Sequence, residues 1–385
     1  MSVSPAAPGS TAALRLANVD RVVRALRSGG PLTQAEVSRT TELAPATVSN
    51  IVKSLVAAGV LQTSGGAGRR GATVEFAETA GVVAGVDFGH SHVQVGLGDL
   101  SGRVLASRQV PLAHDHRYDD GLGVALELLA ELSNGLPGPA RSLHGVGLGL
   151  PAPIGTTGLV DAGSILPGWI GVDAAAVAGE AFGVTTIVDN DANLGALAEF
   201  TVGAGVGTHS MAYIKVASGV GCGLVLDGRV YRGGLGTAGE LGHVTIDESG
   251  PLCRCGNRGC LEAYVGGSSL IQQYAPVQTD IGVPELIDRA LDGDVGARRL
   301  VEDAGRHLGH AVSLVANLLA PEAVVVGGEV GVAGDLLLDA VREGLRRHAL
   351  ENVVGRIRVV PAALGTESSA VGAVLLGLEA VRLPI

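Results

Sequence analysis

The sequence predicts an α/β protein in two parts. A small N-terminal module of helices and a β-hairpin is expected to precede a larger domain of two similar lobes, which carries a cysteine-rich loop. Three patterns support this prediction: helical apolar spacing before residue 60, a repeated order of strands and glycine turns, and three of the four cysteines within residues 253–260. With 385 residues, of which 46% are hydrophobic, the chain is long enough for two or three domains.

The N-terminal end changes from a tail to a helical pattern. Residues 1–12 are rich in proline, alanine, serine and glycine, so we expect a disordered tail there. Apolar residues then recur at helical spacing over residues 14–26. Thr33-Gln-Ala-Glu36 forms a capping box that opens a second helix, and Pro45 suits the first position of a third helix, which ends before Gly59.

A β-hairpin is expected after the third helix. Two short strand patterns, at residues 61–64 and 72–76, flank a glycine-rich run at residues 65–68. Three helices followed by such a hairpin are typical of a winged helix-turn-helix, which we assign to residues 13–77 as a DNA-binding domain.

The third helix and the hairpin supply the candidate DNA contacts. Short polar side chains near the start of such a helix can reach base edges, and arginines in the wing can meet phosphates or a narrow minor groove. The candidate DNA-binding residues are Thr47, Ser49, Asn50, Lys53, Arg69 and Arg70. Residues 1–80 carry a net charge of +3 and the remaining residues −14, so only the first module suits double-stranded DNA. A winged helix that binds protein, or a solvated charged face, is the alternative.

One pattern occurs twice after residue 81. The segments DFGHSHVQVGLGDLSGRVL and KVASGVGCGLVLDGRVY each give a strand, a glycine turn, a strand, a tight turn and an Arg-Val strand. This internal repeat predicts two lobes of βββαβα type that face a cleft, the actin-like/sugar-kinase (ribonuclease H-like) architecture. We assign residues 81–200 to lobe 1 and 201–365 to lobe 2, with a C-terminal helix at about 366–385 packing back on lobe 1. A loop beginning at Pro151 is expected after the strand at 145–150, ahead of a strand at 186–189.

The cysteine-rich loop has the composition of a structural metal site. One imidazole and three thiolates make a closed tetrahedral ligand set for Zn²⁺. These candidate ligands lie in the loop 243–260 and are His243, Cys253, Cys255 and Cys260. A disulfide is the alternative, but nothing in the sequence indicates secretion and the local number of cysteines is odd. The fourth cysteine, Cys222, lies in an apolar run and is expected to be a small buried hydrophobe.

Polar residues near this loop and after one strand are candidates for ligand binding. Glu240, His243 and Glu262 could hydrogen-bond a polyhydroxylated ligand if the metal holds them rigid. Asp191, in the run Asn190-Asp191-Ala192-Asn193, could accept a proton from a sugar hydroxyl as a general base in phosphoryl transfer, or could hydrogen-bond a sugar without any chemistry. A plain helix cap is the third interpretation of this run.

Composition also argues against other classes of protein. Aromatic residues make up 3% of the chain, which is too few for base-stacking platforms on single-stranded nucleic acid. The N-terminus lacks the apolar core of a signal peptide, and we find no uncharged apolar run long enough to cross a membrane. We therefore expect a cytoplasmic protein with no membrane partner.

These motifs resemble the ROK family (repressors, open reading frames and kinases), and within it the NagC/XylR-type repressors that carry an N-terminal winged helix. The resemblance runs from about residue 14 to the end, and its strongest motif is Glu240-Leu-Gly-His243 followed by CRCGNRGCLE. The run from Asp189 to Asn193 is the second match. The resemblance implies zinc on the four ligands above and a sugar facing Asn190, Asp191, Glu240, His243 and Glu262.

The same resemblance leaves the catalytic activity open. Kinases of the family usually carry a DxGGT-type first phosphate loop and a Gly-Thr-Gly pattern in the second, where this chain has Asp87-Phe-Gly-His-Ser-His92 and Ser218-Gly-Val-Gly. We therefore expect a sugar-responsive transcription regulator, in the main a repressor, that acts as a homodimer or homotetramer. The alternative is an ATP-dependent sugar kinase, with Asp191 as general base and ATP and Mg²⁺ in the cleft. A zinc-stabilised adaptor for protein partners is the third possibility.

Overall fold

The N-terminal module consists of three helices and a small sheet. The structure, a computed structural model, describes residues 10–65, 72–114, 116–138, 142–155, 158–160 and 166–383. The elements of the module are α1 (Thr11–Gly29), β1 (Leu32–Thr33), α2 (Gln34–Thr41), α3 (Pro45–Ala57), β2 (Leu61–Ser64) and β3 (Thr73–Phe76). The strands pair in the order β1-β3-β2, which completes a winged helix-turn-helix.

Local sequence signals explain the boundaries in this module. The capping box of α2 is formed, because the Thr33 hydroxyl accepts the Glu36 N–H at 3.2 Å and the Glu36 carboxylate accepts the Thr33 N–H at 2.8 Å. Pro45 begins α3, and Gly59 follows this helix with a φ of +74°. Helix α1 begins at Thr11, so the predicted tail is too long by two residues; residues 1–9 and the turn of the wing lie outside the described part of the chain.

The larger domain begins with lobe 1 and its five-stranded sheet. Its elements are β4 (Val82–Phe88), β5 (His92–Asp99), β6 (Val104–Pro111), α4 (Tyr118–Asn134), β7 (Leu143–Leu150), α5 (Ala174–Phe182), β8 (Thr186–Asn190) and α6 (Asp191–Val202). The connection between β7 and β8 also contains α5, which the sequence analysis did not locate and which buries Ala174 and Ala178 against lobe 1. Its small, weakly patterned residues gave no clear helical period.

Lobe 2 contains a second five-stranded sheet and most of the helices. Its elements are β9 (Met211–Val216), β10 (Val220–Leu226), β11 (Arg229–Tyr231), α7 (Glu262–Val265), α8 (Gly267–Tyr274), α9 (Val283–Leu291), α10 (Val295–Leu319), β12 (Ala323–Gly327), α11 (Asp335–His348), α12 (Glu351–Val354) and β13 (Arg358–Pro361). The last helix of the described residues is α13 (Ser368–Ala380). No helix in the described residues is both long and apolar enough to cross a membrane.

The two large sheets have the same topology, which confirms the predicted duplication. Their orders are β6-β5-β4-β7-β8 and β11-β10-β9-β12-β13. In each sheet the first three strands pair antiparallel as a meander, and the last two add in parallel beside the first strand. Two lobes built in this way make the predicted actin-like, sugar-kinase architecture.

Two helices between the sheets join the lobes. Helix α6 follows a strand of lobe 1 but packs on β9 and β10, whereas α13 follows lobe 2 and packs on β4 and β7. The two helices also pack on each other, and a Cβ on Gly372 would lie 1.9 Å from the Leu194 carbonyl oxygen. Glycine therefore permits the close approach of these helices at the centre of the molecule.

The winged module packs directly on lobe 1. Leu100, Val374 and Leu378 of the larger domain share one apolar core with buried residues of α1 and α3. The Arg27 guanidinium of α1 also donates a hydrogen bond of 3.0 Å to the Leu100 carbonyl oxygen. The C-terminal half of α13 is consequently in contact with the winged module.

Candidate functional site

A cleft of about 400 Å³ lies between the lobes, where the strands of both sheets end. Lobe 1 contributes the turn between β4 and β5 and the start of α6, and lobe 2 contributes the turn between β9 and β10. The cysteine-rich loop forms one wall. The cleft is lined by all five predicted sugar-binding residues, namely Asn190, Asp191, Glu240, His243 and Glu262.

The polar run after β8 has both capping and bridging contacts. The Asn190 side-chain oxygen accepts the N–H groups of Ala192 and Asn193 at 2.9 and 3.4 Å, so Asn190 is the cap of α6. Its amide nitrogen donates to the Ala152 carbonyl oxygen at 3.1 Å. The neighbouring Asp189 carboxylate accepts a 2.8 Å hydrogen bond from Arg232 of lobe 2. This ion pair links the two lobes beside the cleft.

Asp191 is paired with a lysine that the sequence did not single out. The Lys215 ammonium, from β9, donates to the Asp191 carboxylate at 2.8 Å and to the Ser369 hydroxyl at 2.9 Å. It also lies 3.8 Å from the Asp87 carboxylate of β4. Burial lowers the pKa of Lys215, but the two carboxylates outweigh this effect and keep its pKa above the usual value, so the group is charged.

Two further titratable groups of lobe 1 respond to this cluster. Burial raises the pKa of Asp87 to about 7, against the opposing effect of Lys215. Burial, helped by the positive charge of Lys215, lowers the pKa of His92 to about 4, so the imidazole at the mouth of the first glycine turn is neutral. Among the described residues, Asp87 Oδ1 is a buried oxygen with no hydrogen-bond partner.

Glu262 and Glu240 present carboxylates to the cleft in different ways. Glu262 is buried, and its Oε2 accepts the Val220 N–H at 3.0 Å and the Arg254 guanidinium at 2.7 Å. Glu240 stands open to the cleft, where desolvation and the carboxylates of Asp191 and Glu262 raise its pKa. One carboxylate is therefore fixed by two donors, while the other remains available to a ligand hydroxyl.

The four predicted metal ligands come together in the cysteine-rich loop. Their ligand atoms lie within 4.8 Å of one another, with Cys253 Sγ 3.7 Å from His243 Nδ1 and Cys255 Sγ 3.6 Å from Cys260 Sγ. Zn–S bonds of about 2.3 Å in a tetrahedron place sulfur atoms about 3.8 Å apart. The cluster therefore has the donors and the spacing to hold a tetrahedral metal ion.

The backbone of this loop is tightly folded, and the two ring nitrogens of His243 face different groups. Gly259 has a φ of +63°, and a Cβ there would lie 1.6 Å from the Asp247 carbonyl oxygen. With Nδ1 directed to the thiolates, the other ring nitrogen of His243 lies 4.0 Å from Glu240 on the cleft side. Cys222 is buried in the core of lobe 2 and takes no part in the cluster, in agreement with the prediction.

The candidate DNA contacts differ in exposure along α3. Asn50 and Lys53 are exposed, whereas Thr47 and Ser49 are half-buried at the start of the helix. Arg69 and Arg70 lie outside the described residues. The exposed positions Ala46, Asn50 and Lys53 share one face of α3.

Three charged residues at the cleft were not among the predicted site residues. Lys215 and Arg254 line the cleft and carry positive charge, and Asp87, near the end of β4, is buried next to Lys215. A signal for Lys215 was present, because the chain has only two lysines and this one lies in a buried strand two residues before a glycine turn. A charged residue in such a strand is uncommon unless it is paired.

Comparison with known proteins decides the family. The ROK family profile matches residues 83–380, and the MarR family profile matches residues 21–70. This chain belongs to the ROK family. The ROK match covers both lobes, and the MarR match falls on the winged helix-turn-helix.

Relatives with both parts are named as repressors or regulators. The chain is 26% identical to the xylose repressor of Bacillus spizizenii over 92% of this chain and 93% of that protein. It is 30% identical to the DNA-binding transcriptional dual regulator NagC of Escherichia coli, over 96% of this chain and 94% of the relative. These alignments extend over the winged module as well as the ROK lobes.

Solved structures include both regulators and kinases of the ROK family. A ROK family transcriptional regulator, a homologue of the E. coli MLC protein, superimposes with a TM-score of 0.81 and 25% identity over 95% of this chain and 96% of its own. A ROK family glucokinase from Streptomyces griseus, in complex with glucose and AMPPNP, gives a TM-score of 0.69 and 26% identity over 78% of this chain and 100% of its own. The regulator thus matches this ROK chain over a larger share than the kinase does.

Proposed function

We propose that this ROK protein is a sugar-responsive transcription regulator, in the main a repressor, of genes for carbohydrate uptake or catabolism. The observation that carries the proposal is that the winged helix-turn-helix packs directly on lobe 1, next to a cleft whose polar side chains can hydrogen-bond the hydroxyl groups of a sugar. The names of the relatives that share both parts support it. As a DNA-binding regulator the protein would act in the cytoplasm.

The sugar would bind through hydroxyl groups in the cleft. Glu240 and His243 Nε2 would form hydrogen bonds with the sugar hydroxyl groups. The remaining contacts with the sugar would come from Asn190, Asp191 and Glu262. We propose Zn²⁺ for the cluster of His243 and the three cysteines, because soft thiolates with one imidazole suit this ion. When bound, Zn²⁺ would supply no catalysis; it would fix the loop that carries the ligand-binding wall.

Helix α13 offers a physical connection between the cleft and the DNA-binding module. At its start, the Ser369 hydroxyl donates to the Asp191 carbonyl oxygen at 3.0 Å and accepts from Lys215. Towards its end, Leu378 is buried in the core shared with the winged module. A change in the lobe angle would therefore move the support on which the winged helix rests.

The regulated step would be the fit of two winged helices to an operator. A homodimer, or a homotetramer built from dimers, would place α3 of two subunits in successive major grooves of a palindrome. Asn50 and Lys53 would face the DNA, with Thr47, Ser49 and the wing residues Arg69 and Arg70 nearby. A sugar can release the operator only by as much as it prefers the closed cleft over the open one.

Replacing Glu240 tests this assignment. Glu240→Gln keeps the size of the side chain but removes the carboxylate that is open to the cleft. We expect normal operator binding and a release by sugar that needs at least about tenfold more ligand, since a charged hydrogen bond is worth about 1.5–3 kcal/mol. Glu248→Gln, an exposed carboxylate on the same loop outside the cleft, is the matched control. Release of Glu240→Gln at the wild-type sugar concentration would contradict the assignment.

An ATP-dependent sugar kinase is the second candidate function, favoured by the similarity to the S. griseus glucokinase. Asp191 would then take the sugar-hydroxyl proton, with ATP and Mg²⁺ bound at the glycine turns. Release of ADP with a panel of hexoses and pentoses tests this function. We expect no sugar-dependent turnover; turnover that is lost in Asp191→Asn would support the kinase.

A further inference from the structure

We propose that the ammonium group of Lys215 is a built-in counter-ion, which fills the position that a divalent cation would take between Asp87 and Asp191. This inference deepens the proposed function. It rests on that function in one respect, namely that the same cleft is the ligand site. It makes Lys215 a specificity-determining residue, because it excludes metal-bound nucleotides and leaves room for an uncharged sugar.

The geometry of the cleft floor supports this role. Asp87 comes from lobe 1, Asp191 from the start of α6 and Lys215 from lobe 2; Asp191 and Lys215 line the cleft, and Asp87 is buried next to Lys215. The ammonium lies 2.8 Å from one carboxylate and 3.8 Å from the other, with the Ser369 hydroxyl at 2.9 Å. The contacts with Asp191 and Ser369 are hydrogen bonds, and the longer one with Asp87 is an ion pair.

The charges give a physical reason why an ammonium group can take the place of a divalent cation. Two buried carboxylates without a cation would repel each other, so a buried carboxyl group must be paired, bind a metal ion or retain its proton. Carboxylate oxygens are the preferred protein ligands of Mg²⁺ and Mn²⁺. Lys215 supplies the positive charge from within the chain, so a metal ion gains little by entering and would have to displace a fixed ammonium.

The consequence is a cleft in which ATP and Mg²⁺ do not fit as they would in a kinase. Phosphoryl transfer needs metal ions that bridge the β- and γ-phosphates, and a base that is free to accept the proton of the nucleophile. Lys215 occupies the metal position and holds the Asp191 carboxylate in a hydrogen bond. The same contact leaves Asp191 able to orient a sugar, with one oxygen turned to the ammonium.

Manganese binding tests the proposal without DNA or sugar, so its result is separate from that of the proposed function. Mn²⁺ is titrated into zinc-loaded, full-length protein at pH 8, above the pKa of about 7 that Asp87 has beside Lys215, and free Mn²⁺ is followed by EPR. Lys215→Ala should bind one Mn²⁺ per chain at the site between Asp87 and Asp191, with an affinity at least about tenfold higher than wild type shows for that site. Lys53→Ala, which removes the only other lysine, should bind Mn²⁺ as wild type does.

Two further measurements keep the test decisive. Adding Asp87→Asn to Lys215→Ala should abolish the extra Mn²⁺ site, and Lys215→Gln replaces the alanine variant if that variant does not fold. In wild type labelled with ¹³Cε-lysine, only two lysine signals exist, and Mn²⁺ should not selectively broaden that of Lys215. A folded Lys215 variant with wild-type Mn²⁺ affinity, or broadening of the Lys215 signal, would overturn the proposal.

Discussion

The buried carboxylate of Asp87 gives the account a prediction that can be worked out in numbers. Burial raises the pKa of this group from 3.8 to about 7, while Lys215 opposes the shift and the carboxylates of Asp191 and Glu367 add to it. Replacing Asp87 by asparagine keeps the shape of the side chain and removes the titration. The variant should therefore lose one specific part of the pH dependence of stability.

The sign follows from proton binding in the two states. Between pH 3.8 and about 7 the unfolded chain has released the Asp87 proton while the folded protein retains it. The contribution of this group is fully favourable below pH 3.8 and is lost as the pH rises to about 7. At about 1.4 kcal/mol per pKa unit, the loss amounts to at most about 4 kcal/mol.

Urea unfolding followed by the single tryptophan provides the assay. Trp169 is fully buried in the core of lobe 1, the lobe that also contains Asp87, so its fluorescence reports the relevant transition. The free energy of unfolding is measured for both proteins between pH 4.5 and 8. The difference, Asp87→Asn minus wild type, should rise with pH up to about 7 and then level off. A difference that stays constant over this range would refute the raised pKa of the buried Asp87 carboxyl group.

Three other predictions concern the metal loop, the DNA contact and the coupling. Cys255→Ser should lower the zinc content below one ion per chain, reduce the free energy of unfolding by at least about 3 kcal/mol and so lower the melting temperature. The control Cys222→Ala should keep its zinc, and equal zinc contents in the two variants would argue against the cluster. Lys53→Ala should weaken operator binding for all sequences alike and reduce the salt slope by about one, as titrations at several salt concentrations would reveal. Leu378→Ala removes packing worth about 2–5 kcal/mol between α13 and the winged module. It should reduce the effect of sugar on the operator Kd at least about fivefold, and an unchanged effect would exclude α13 as the connection.

Several parts of this fold were predictable because their causes are local. The capping box at Thr33 and Glu36 and the strand-turn-strand repeats depend on neighbouring residues, so the sequence pattern was sufficient. The metal cluster could also be predicted, since three of its ligands fall within eight residues and three cysteines with one histidine are a characteristic ligand set for structural zinc. The strand β1 was missed because its two residues carry no period of their own.

The arrangement at the floor of the cleft could not be predicted in the same way. Asp87, Asp191 and Lys215 lie far apart in the chain, and only the crossing of α6 and α13 between the sheets brings them together. Asn190 caps α6, which was one of the three interpretations that the sequence of this run allowed. Tertiary packing thus determines the contacts that these polar side chains make.

The central claim is that one chain binds operator DNA and releases it when a sugar enters the cleft. Selection of genomic DNA fragments by purified, zinc-loaded protein, with and without a panel of sugars, tests this claim most directly. The account predicts strong enrichment of fragments upstream of sugar uptake or catabolism genes, which one sugar abolishes for wild type but not for Glu240→Gln. Enrichment that no sugar alters, or no enrichment by folded protein, would contradict it.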